Sequence, residues 1–271
     1  MAASEPVGEI EVEGRRLVWR TVGRGPEMLL LNGYAATSRD WDPTFLGRLA
    51  RSHRVICPDN RGLGGSELGE AELAIDGMAA DLEVLLDALG VLRVAVVGWS
   101  MGGFVAQQLA LRSPDRVATL TLISSDPGAP DAISPRPEIW SRLIDHSGTP
   151  RAQASRLISL LFPAELATEI DSQFGEVVAA ARAELPPQTL SAQEAAMEAW
   201  HRHDQPRPEG RAAPPTLIVH GAEDVVIPAD NADRVARRWP GARVELFERC
   251  GHAVMAQEPQ RVAAAIRAHS G

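Results

Sequence analysis

The sequence of 271 residues contains no lysine, and its 27 basic residues, all arginines, never form a run longer than two. The formal net charge is −9. A negative chain without a basic stripe repels a phosphate backbone, which argues against nucleic acid as a partner. No apolar run approaches the ~20 residues that a membrane-spanning helix needs, so the sequence also gives no sign of a membrane partner.

Cysteine is almost absent as well, with only Cys57 and Cys250. Two cysteines make no disulfide framework, and they lack the spacing of a metal site, so no metal or other cofactor is expected. Cys57 lies in an apolar run and is interpreted as a core residue. Cys250 is either a reactive thiol or a small residue near a tight turn. Residues 1–6 have neither the basic nor the apolar region of a secretory signal, so we expect a cytoplasmic protein.

Strand-like and helix-like segments alternate over the first 125 residues. A hairpin around Gly14 comes first, and short β-rich runs then alternate with amphipathic helices. The expected strands are residues 9–13, 16–22, 28–32, 54–58, 93–97 and 117–123, and the expected helices are 41–52, 75–89 and 101–112. This alternation predicts an α/β fold with a mostly parallel, doubly wound sheet of about eight strands and helices on both faces.

The pattern changes after Asp126. Several prolines break the chain, the segments between them are helical in composition, and strand-like runs resume only at 216–220. The sequence therefore predicts three parts: the first part of the α/β core over 1–126, an inserted helical cap or lid over 127–213, and the second part of the core over 214–271.

Ser100 stands in the most informative motif, a G-x-S-x-G sequence from Gly98 to Gly102. The motif directly follows a β run and directly opens a helix, as a nucleophile elbow requires. The flanking glycines keep Cβ atoms away from closely approaching backbone. The helix N-terminus offers N–H groups to a developing oxyanion, so Ser100 is predicted to be a nucleophile.

With this elbow the chain resembles the α/β-hydrolase superfamily over residues 10–125 and from 214 onward. Members order the catalytic groups as Ser, acid, His. The segment Gly221-Ala222-Glu223-Asp224, followed by Pro228, resembles the family's acid segment. The resemblance implies Asp224 as the acid, with Glu223 and, after the sixth strand, Asp126 as alternatives. The sequence Gly251-His252 resembles the histidine segment of the family, which implies His252 as the general base.

The oxyanion hole needs two backbone N–H donors. One is expected from Met101, which follows the nucleophile, and the other from Tyr34 in the loop after the third strand. Relatives usually carry His-Gly in that loop, and this sequence carries Asn32-Gly33 instead. Further on, Asp59 to Ser66 matches the family's D-x-R-G-x-G-x-S, which we interpret as a structural turn braced by an Asp59–Arg61 pair.

The identity of the nucleophile limits the reactions that the enzyme can catalyse. Dehalogenases and epoxide hydrolases of this fold use aspartate where Ser100 stands, so Ser100 implies attack on an activated carbonyl of a small molecule and an acyl-enzyme. The Met-Gly-Gly elbow resembles small esterases, enol-lactonases and cofactor-free haloperoxidases. Candidate pocket residues, each equally well explained as packing, are Trp99, Trp140, Leu143, Leu160, Phe162, Phe174, Met197 and Trp200.

Three functions follow from these motifs. The favoured one is a serine hydrolase that acts on a carboxylic ester or lactone. A carbon–carbon bond hydrolase or lyase would use the same three residues on a vinylogous diketone or an eliminating substrate. A ligand receptor on this fold would not react with a fluorophosphonate.

Overall fold

The computed structural model describes residues 7–208 and 213–271. The strands, in chain order, are β1 (Val7–Val12), β2 (Arg15–Val22), β3 (Glu27–Leu31), β4 (Arg54–Pro58), β5 (Val94–Trp99), β6 (Val117–Ile123), β7 (Thr216–Gly221) and β8 (Arg243–Phe247). Within the described residues they form one eight-stranded sheet in the order β1-β2-β4-β3-β5-β6-β7-β8. The pairings β1–β2 and β2–β4 are antiparallel and the others are parallel. The predicted fold class is therefore confirmed.

Helices connect and cover the strands. They are α1 (Pro43–Leu49), α2 (Ile75–Ala88), α3 (Met101–Arg112), α4 (Pro137–Leu143), α5 (Pro150–Leu161), α6 (Ala164–Ala183), α7 (Pro187–Arg202), α8 (Asn231–Arg238), α9 (Val254–Gln257) and α10 (Pro259–Ser270). Helices α4 to α7 lie between β6 and β7, and we call them the helical insertion. The expected end of this insertion, at residue 213, adjoins residues 209–212, which are outside the described part of the chain.

The core lies on both faces of the sheet because consecutive residues of a strand point to opposite sides. In β3, Leu29 and Leu31 belong to the apolar cluster that includes α2, α3 and α8, whereas Met28 and Leu30 belong to the cluster that includes α1 and α10. All four side chains are almost completely buried. A strand buried on both faces reads as a continuous apolar run, which is why the sequence marks β3 so clearly.

The glycine-rich turn after β4 differs from its prediction. Arg61 does not pair with Asp59; its guanidinium donates to Asp81 of α2, at 2.8 Å from Nη2 to Oδ1. Arg15 of β2 donates to the same buried carboxylate. Asp59 instead accepts hydrogen bonds from the N–H groups of Ser38 and Gly65. The predicted Asp59–Arg61 pair is therefore wrong, and the turn is braced by α2.

Two predictions concern the setting of the protein. No helix in the described residues is long and apolar enough to cross a membrane. The prediction of a cytoplasmic protein rested on residues 1–6, which lie outside the described part of the chain. It stays a prediction. Both cysteines are buried.

Candidate active site

Ser100 lies at the turn from β5 into α3. Its φ of 55° and ψ of −122° form a backbone conformation that residues other than glycine rarely adopt, as a nucleophile elbow requires. A Cβ atom at Gly98 would collide with the carbonyl of Gly102, and one at Gly102 with the carbonyl of Leu31. The turn is held by the Ser100 N–H, which donates to the carbonyl of Ile123 at 2.9 Å. The tight turn therefore requires both glycines of the G-x-S-x-G sequence.

His252 and Asp224 meet on the loops that follow β8 and β7. Nδ1 of His252 lies 2.8 Å from Oδ2 of Asp224, and both side chains are buried. The other carboxylate oxygen, Oδ1, accepts from the N–H groups of Val226 and Ile227, each at 2.9 Å. An ionised carboxylate can only accept, so Nδ1 of His252 carries a proton, and a ring without a second proton leaves Nε2 as an acceptor.

Asp224 stays ionised although it is buried. Burial by itself raises the pKa of this carboxyl, but the neighbouring charge of His252 and the hydrogen bonds from His220 and His252 hold it well below its ordinary value. Nε2 of His220 lies 3.3 Å from Oδ2 of Asp224 and 2.9 Å from the carbonyl oxygen of Ile227. Both partners are acceptors, so His220 donates from Nε2 and helps to fix the carboxylate.

Asp126, the alternative acid, is bound elsewhere. Its Oδ1 accepts from the indole N–H of Trp200 at 3.0 Å and from the N–H of Gly128 at 2.8 Å. Its Oδ2 accepts from Nε2 of His201 at 2.9 Å. These partners join the end of β6 to α7. The structure therefore brings Asp224, and not Asp126, to His252.

Trp99 positions the loop of His252. The indole Nε1 donates to the backbone carbonyl of His252 at 3.0 Å, and the two rings lie 5.5 Å apart between centroids. Trp99 is also in contact distance of Gly33, where an added Cβ would sit 3.1 Å from the indole. This residue thus links the elbow, the histidine loop and the loop after β3.

The loop after β3 has a support of its own in place of the usual histidine. The Asn32 side-chain amide donates to the carbonyl of Pro58 at 2.8 Å. Asn60 in turn donates to the carbonyls of Asn32 and Gly33, at 3.3 Å each. A Cβ added to Gly33 would come within 3.3 Å of the Ser100 Cβ, so the loop backbone passes directly over the serine. Two asparagines therefore hold this loop against β4.

The N–H groups of Tyr34 and Met101 have the properties of oxyanion donors. Across residues 7–208 and 213–271, neither N–H donates a hydrogen bond. Met101 is the first residue of α3, where an N–H has no partner within the helix, and Tyr34 follows Gly33 beside the serine. The geometry thus supplies a buried serine, an oriented histidine and two unused donors, one from the loop after β3 and one from the start of α3, a combination suited to acyl transfer.

Comparison with known proteins agrees with this geometry. The sequence model of the alpha/beta hydrolase fold matches residues 26–259. This chain belongs to the α/β-hydrolase family. It is 30% identical over 252 residues to a pimeloyl-[acyl-carrier protein] methyl ester esterase from Nitrosomonas europaea, covering 89% of this chain and 94% of that protein. It is 32% identical over 232 residues to a protein from Variovorax paradoxus named as a carbamate hydrolase, RutD, covering 84% and 85%.

Among solved structures, a hydrolase from Pseudomonas aeruginosa has a TM-score of 0.82 at 26% identity, covering 99% of this chain and all of that one. These findings confirm the family to which the motifs pointed.

In this α/β hydrolase the insertion lies over the site through α7. The buried face of α7 carries Thr189, Gln193, Met197 and Trp200, which recur at helical spacing. Thr189 donates to the carbonyl of Gly62, and Gln193 accepts from the N–H of Ala35 at 2.9 Å. Helix α7 therefore crosses the loops after β4 and β3 and reaches the end of β6 through Trp200.

The predicted pocket residues lie in different places. Trp99 is half-buried beside His252, as described above. Trp140 packs on the apolar cluster that includes α2 and α3. Trp200 is buried and stacks on Phe104, with ring centroids 5.0 Å apart. Phe162 lines an open cleft of ≈ 850 Å³ between α5, α6 and the loop after β7. Asp224 also borders this cleft, but Ser100 and His252 do not, so it is distinct from the space over the serine.

Four residues around the site were not predicted from the sequence: His220, Asn60, Gln193 and Glu194, the last of which accepts from the phenol of Tyr34. A signal existed for His220, since it precedes Asp224 by four residues on a segment that had to turn sharply. The other three had no sequence signal, because their roles depend on which loops and helices meet in space.

Proposed function

We propose that this α/β hydrolase cleaves a carboxylic ester or lactone through an acyl-enzyme. Ser100 is the nucleophile, His252 the general base and Asp224 the acid that orients it. The N–H groups of Tyr34 and Met101 form the oxyanion hole. The observation that carries the proposal is the 2.8 Å hydrogen bond from His252 Nδ1 to the buried carboxylate of Asp224, because it leaves Nε2 as the proton acceptor.

The reaction follows from these roles. Nε2 of His252 takes the proton of the Ser100 hydroxyl while Oγ attacks the carbonyl carbon, and the carbonyl oxygen gains negative charge between the two N–H donors. The ionised Asp224 stabilises the imidazolium that forms. His252 then gives its proton to the departing alcohol, which leaves an ester of Ser100. A water then attacks the acyl carbon while His252 takes its proton, and that proton passes to Oγ of Ser100 as the carboxylic acid product departs.

The substrate class rests on the chemistry of the serine and on the relatives. An acyl ester of Ser100 forms readily from an ester or a lactone, and one relative is named as a methyl ester esterase. Another relative is named for carbamate hydrolysis, so carbamates form the second class to be tested. We propose that the helical insertion is a cap that encloses a small-molecule substrate, since α7 crosses the loops around Ser100.

A panel of p-nitrophenyl esters of increasing acyl length, run beside γ-lactones and a p-nitrophenyl carbamate, tests the proposal. We expect turnover of short or medium esters with a burst of one nitrophenolate per enzyme whenever deacylation is slow. Ser100→Ala should abolish the burst and lower turnover by several orders of magnitude. Ser172→Ala, an exposed serine of α6, is the matched control and should behave as the wild type. Ester turnover that survives in Ser100→Ala would contradict the proposal.

A further inference from the structure

Helix α7 holds the loop that carries the Tyr34 N–H at two adjacent points. Oε1 of Gln193 accepts from the backbone N–H of Ala35 at 2.9 Å. Glu194, the next residue of the helix, accepts from the phenol of Tyr34. Two consecutive residues of the insertion thus bind two consecutive residues of the loop, one through the backbone and one through a side chain.

Ala35 needs such a restraint. Its φ of 55° lies in the left-handed region, which a residue with a Cβ rarely adopts, so the conformation persists only where surroundings fix it. The bond from Gln193 fixes the N–H on the Tyr34 side of this strained residue. Gln193 is fully buried, so water does not compete for the contact.

The contact with Glu194 is equally well defined. Nε2 of His146, from the segment between α4 and α5, lies 2.6 Å from the same Oε1 that accepts the phenol proton. Burial, and after it the hydrogen bond and the charge of Glu194, raise the pKa of Tyr34 far above its ordinary value. The phenol of Tyr34 therefore remains a donor. The carboxylate of Glu194 that accepts from it is carried by α7 and is also contacted from the segment between α4 and α5, so it joins two parts of the insertion.

We propose that Gln193 and Glu194 are positioning residues of the oxyanion hole, which hold the Tyr34 N–H at the distance from the substrate oxygen that the transition state requires. The inference rests on the proposed function, in which Tyr34 donates to the oxyanion. It assigns to the insertion a part in the chemical step in addition to enclosing the substrate. Neither residue touches the reacting atoms; both act through the backbone of the loop.

The expected effect follows from the cost of a misplaced donor. Removal of one oxyanion donor costs about 100- to 1,000-fold in turnover, and a displacement of about 1 Å costs up to 100-fold. Loss of one of two anchors loosens the loop without removing the N–H. We therefore expect each variant to lower kcat about 10- to 100-fold while KM changes little.

Four variants isolate the anchors. Gln193→Met keeps the side-chain volume and removes the acceptor for Ala35. Glu194→Leu removes the acceptor for the phenol, Glu194→Gln retains one, and Tyr34→Phe deletes only the phenol oxygen. Glu198→Leu is the matched control on α7, since Glu198 is half-exposed and pairs only with Arg202 of the same helix among the described residues.

Two readouts are measured with p-nitrophenyl butyrate and a fluorophosphonate. The first is kcat and KM for the ester. The second is the rate constant of phosphonylation of Ser100, which also places an oxygen in the oxyanion hole but needs no deacylation. We expect both rates to fall by similar factors in Gln193→Met, Glu194→Leu and Tyr34→Phe. Glu194→Gln should recover most of the loss, and Glu198→Leu should match the wild type.

The effects of Tyr34→Phe and Glu194→Leu on kcat should not be additive. Because Tyr34→Phe deletes only a contact that Glu194→Leu also deletes, the double variant should be no slower than Glu194→Leu. Tyr34→Phe removes one oxygen from a half-buried side chain, so it keeps the test available should Gln193→Met fail to fold in circular dichroism.

The inference is overturned when folded variants change KM alone, when phosphonylation keeps the wild-type rate, or when Glu194→Gln is as slow as Glu194→Leu. Failure of the proposed function looks different. In that case the wild-type enzyme itself is not phosphonylated at Ser100.

Discussion

Asp224→Asn is the substitution that tests the orientation of His252. The carboxylate of Asp224 accepts three hydrogen bonds, two from backbone N–H groups at Oδ1 and one from His252 at Oδ2, and Nε2 of His220 lies 3.3 Å from Oδ2. An asparagine keeps an acceptor oxygen for the backbone pair, so the loop after β7 should retain its shape. Its amide NH₂ then faces Nδ1 of His252, and two donors cannot pair. The ring responds by moving its proton to Nε2, where it can no longer accept one from Ser100.

The size of the effect follows from this loss. In serine proteases, replacing this aspartate by asparagine gives the histidine the wrong tautomer and lowers turnover about ten-thousandfold. That factor corresponds to about 5 kcal/mol of transition-state stabilisation, at ~1.4 kcal/mol for each factor of ten. Asp126→Asn instead weakens contacts to Trp200 and His201, so we expect a loss of about 1–3 kcal/mol in the free energy of unfolding and little change in turnover.

The assay is kcat for the best ester of the panel at saturating concentration, with circular dichroism and urea unfolding of both variants. We expect Asp224→Asn to be folded and nearly inactive, and Asp126→Asn to be active and less stable. An inactive, folded Asp126→Asn beside an active Asp224→Asn would refute the assignment and make Asp126 the acid.

Three further predictions concern stability and the histidine loop. Asp81→Asn leaves the buried Arg61 without a carboxylate and Arg15 with only the exposed Glu13, so it should cost about 3–5 kcal/mol in urea unfolding. The exposed Asp87→Asn should cost less than about 1 kcal/mol, and equal costs would contradict this prediction. For His201, burial lowers the pKa, but the hydrogen bond and charge of Asp126 outweigh burial, so the pKa is raised. Because the pKa of His201 is higher in the folded than in the unfolded protein, protonated His201 stabilises the fold. This stabilisation is complete below about pH 6.5 and is lost as the pH rises through the pKa of the folded state. The difference in Tm between wild type and His201→Gln should therefore be larger at pH 6 than at pH 9. A gap that widens toward pH 9 would oppose it. Trp99→Phe removes the indole N–H that holds the loop of His252, so it should lower kcat about tenfold and leave KM nearly unchanged. An unaltered kcat would contradict this role of Trp99.

The sequence predicted the features that local physics determines. The strands buried on both faces, such as β3, read as apolar runs because every residue is covered. The elbow at Ser100 could be identified because the tight turn itself demands glycine at defined positions. The acid and base were reached only through the family resemblance, since 28 residues separate Asp224 from His252.

Contacts that depend on how helices and loops pack against each other could not be predicted from the sequence. Arg61 had a carboxylate two residues away, yet it pairs with Asp81, 20 residues along the chain, because α2 packs against the turn. Trp200 was a pocket candidate by composition, but its ring stacks on Phe104 across the boundary between insertion and core. The bond from Gln193 to Ala35 spans 158 residues, and no periodicity in α7 indicates which loop the helix will meet.

Formation of the covalent intermediate at Ser100 is tested most directly with a fluorophosphonate. The folded enzyme is treated with the reagent and digested, and the adduct is located by tandem mass spectrometry. We predict one adduct per chain, on the peptide that contains Ser100, with ester turnover lost in proportion to labelling. An adduct on another residue, or full turnover in a protein completely labelled at Ser100, would contradict the claim.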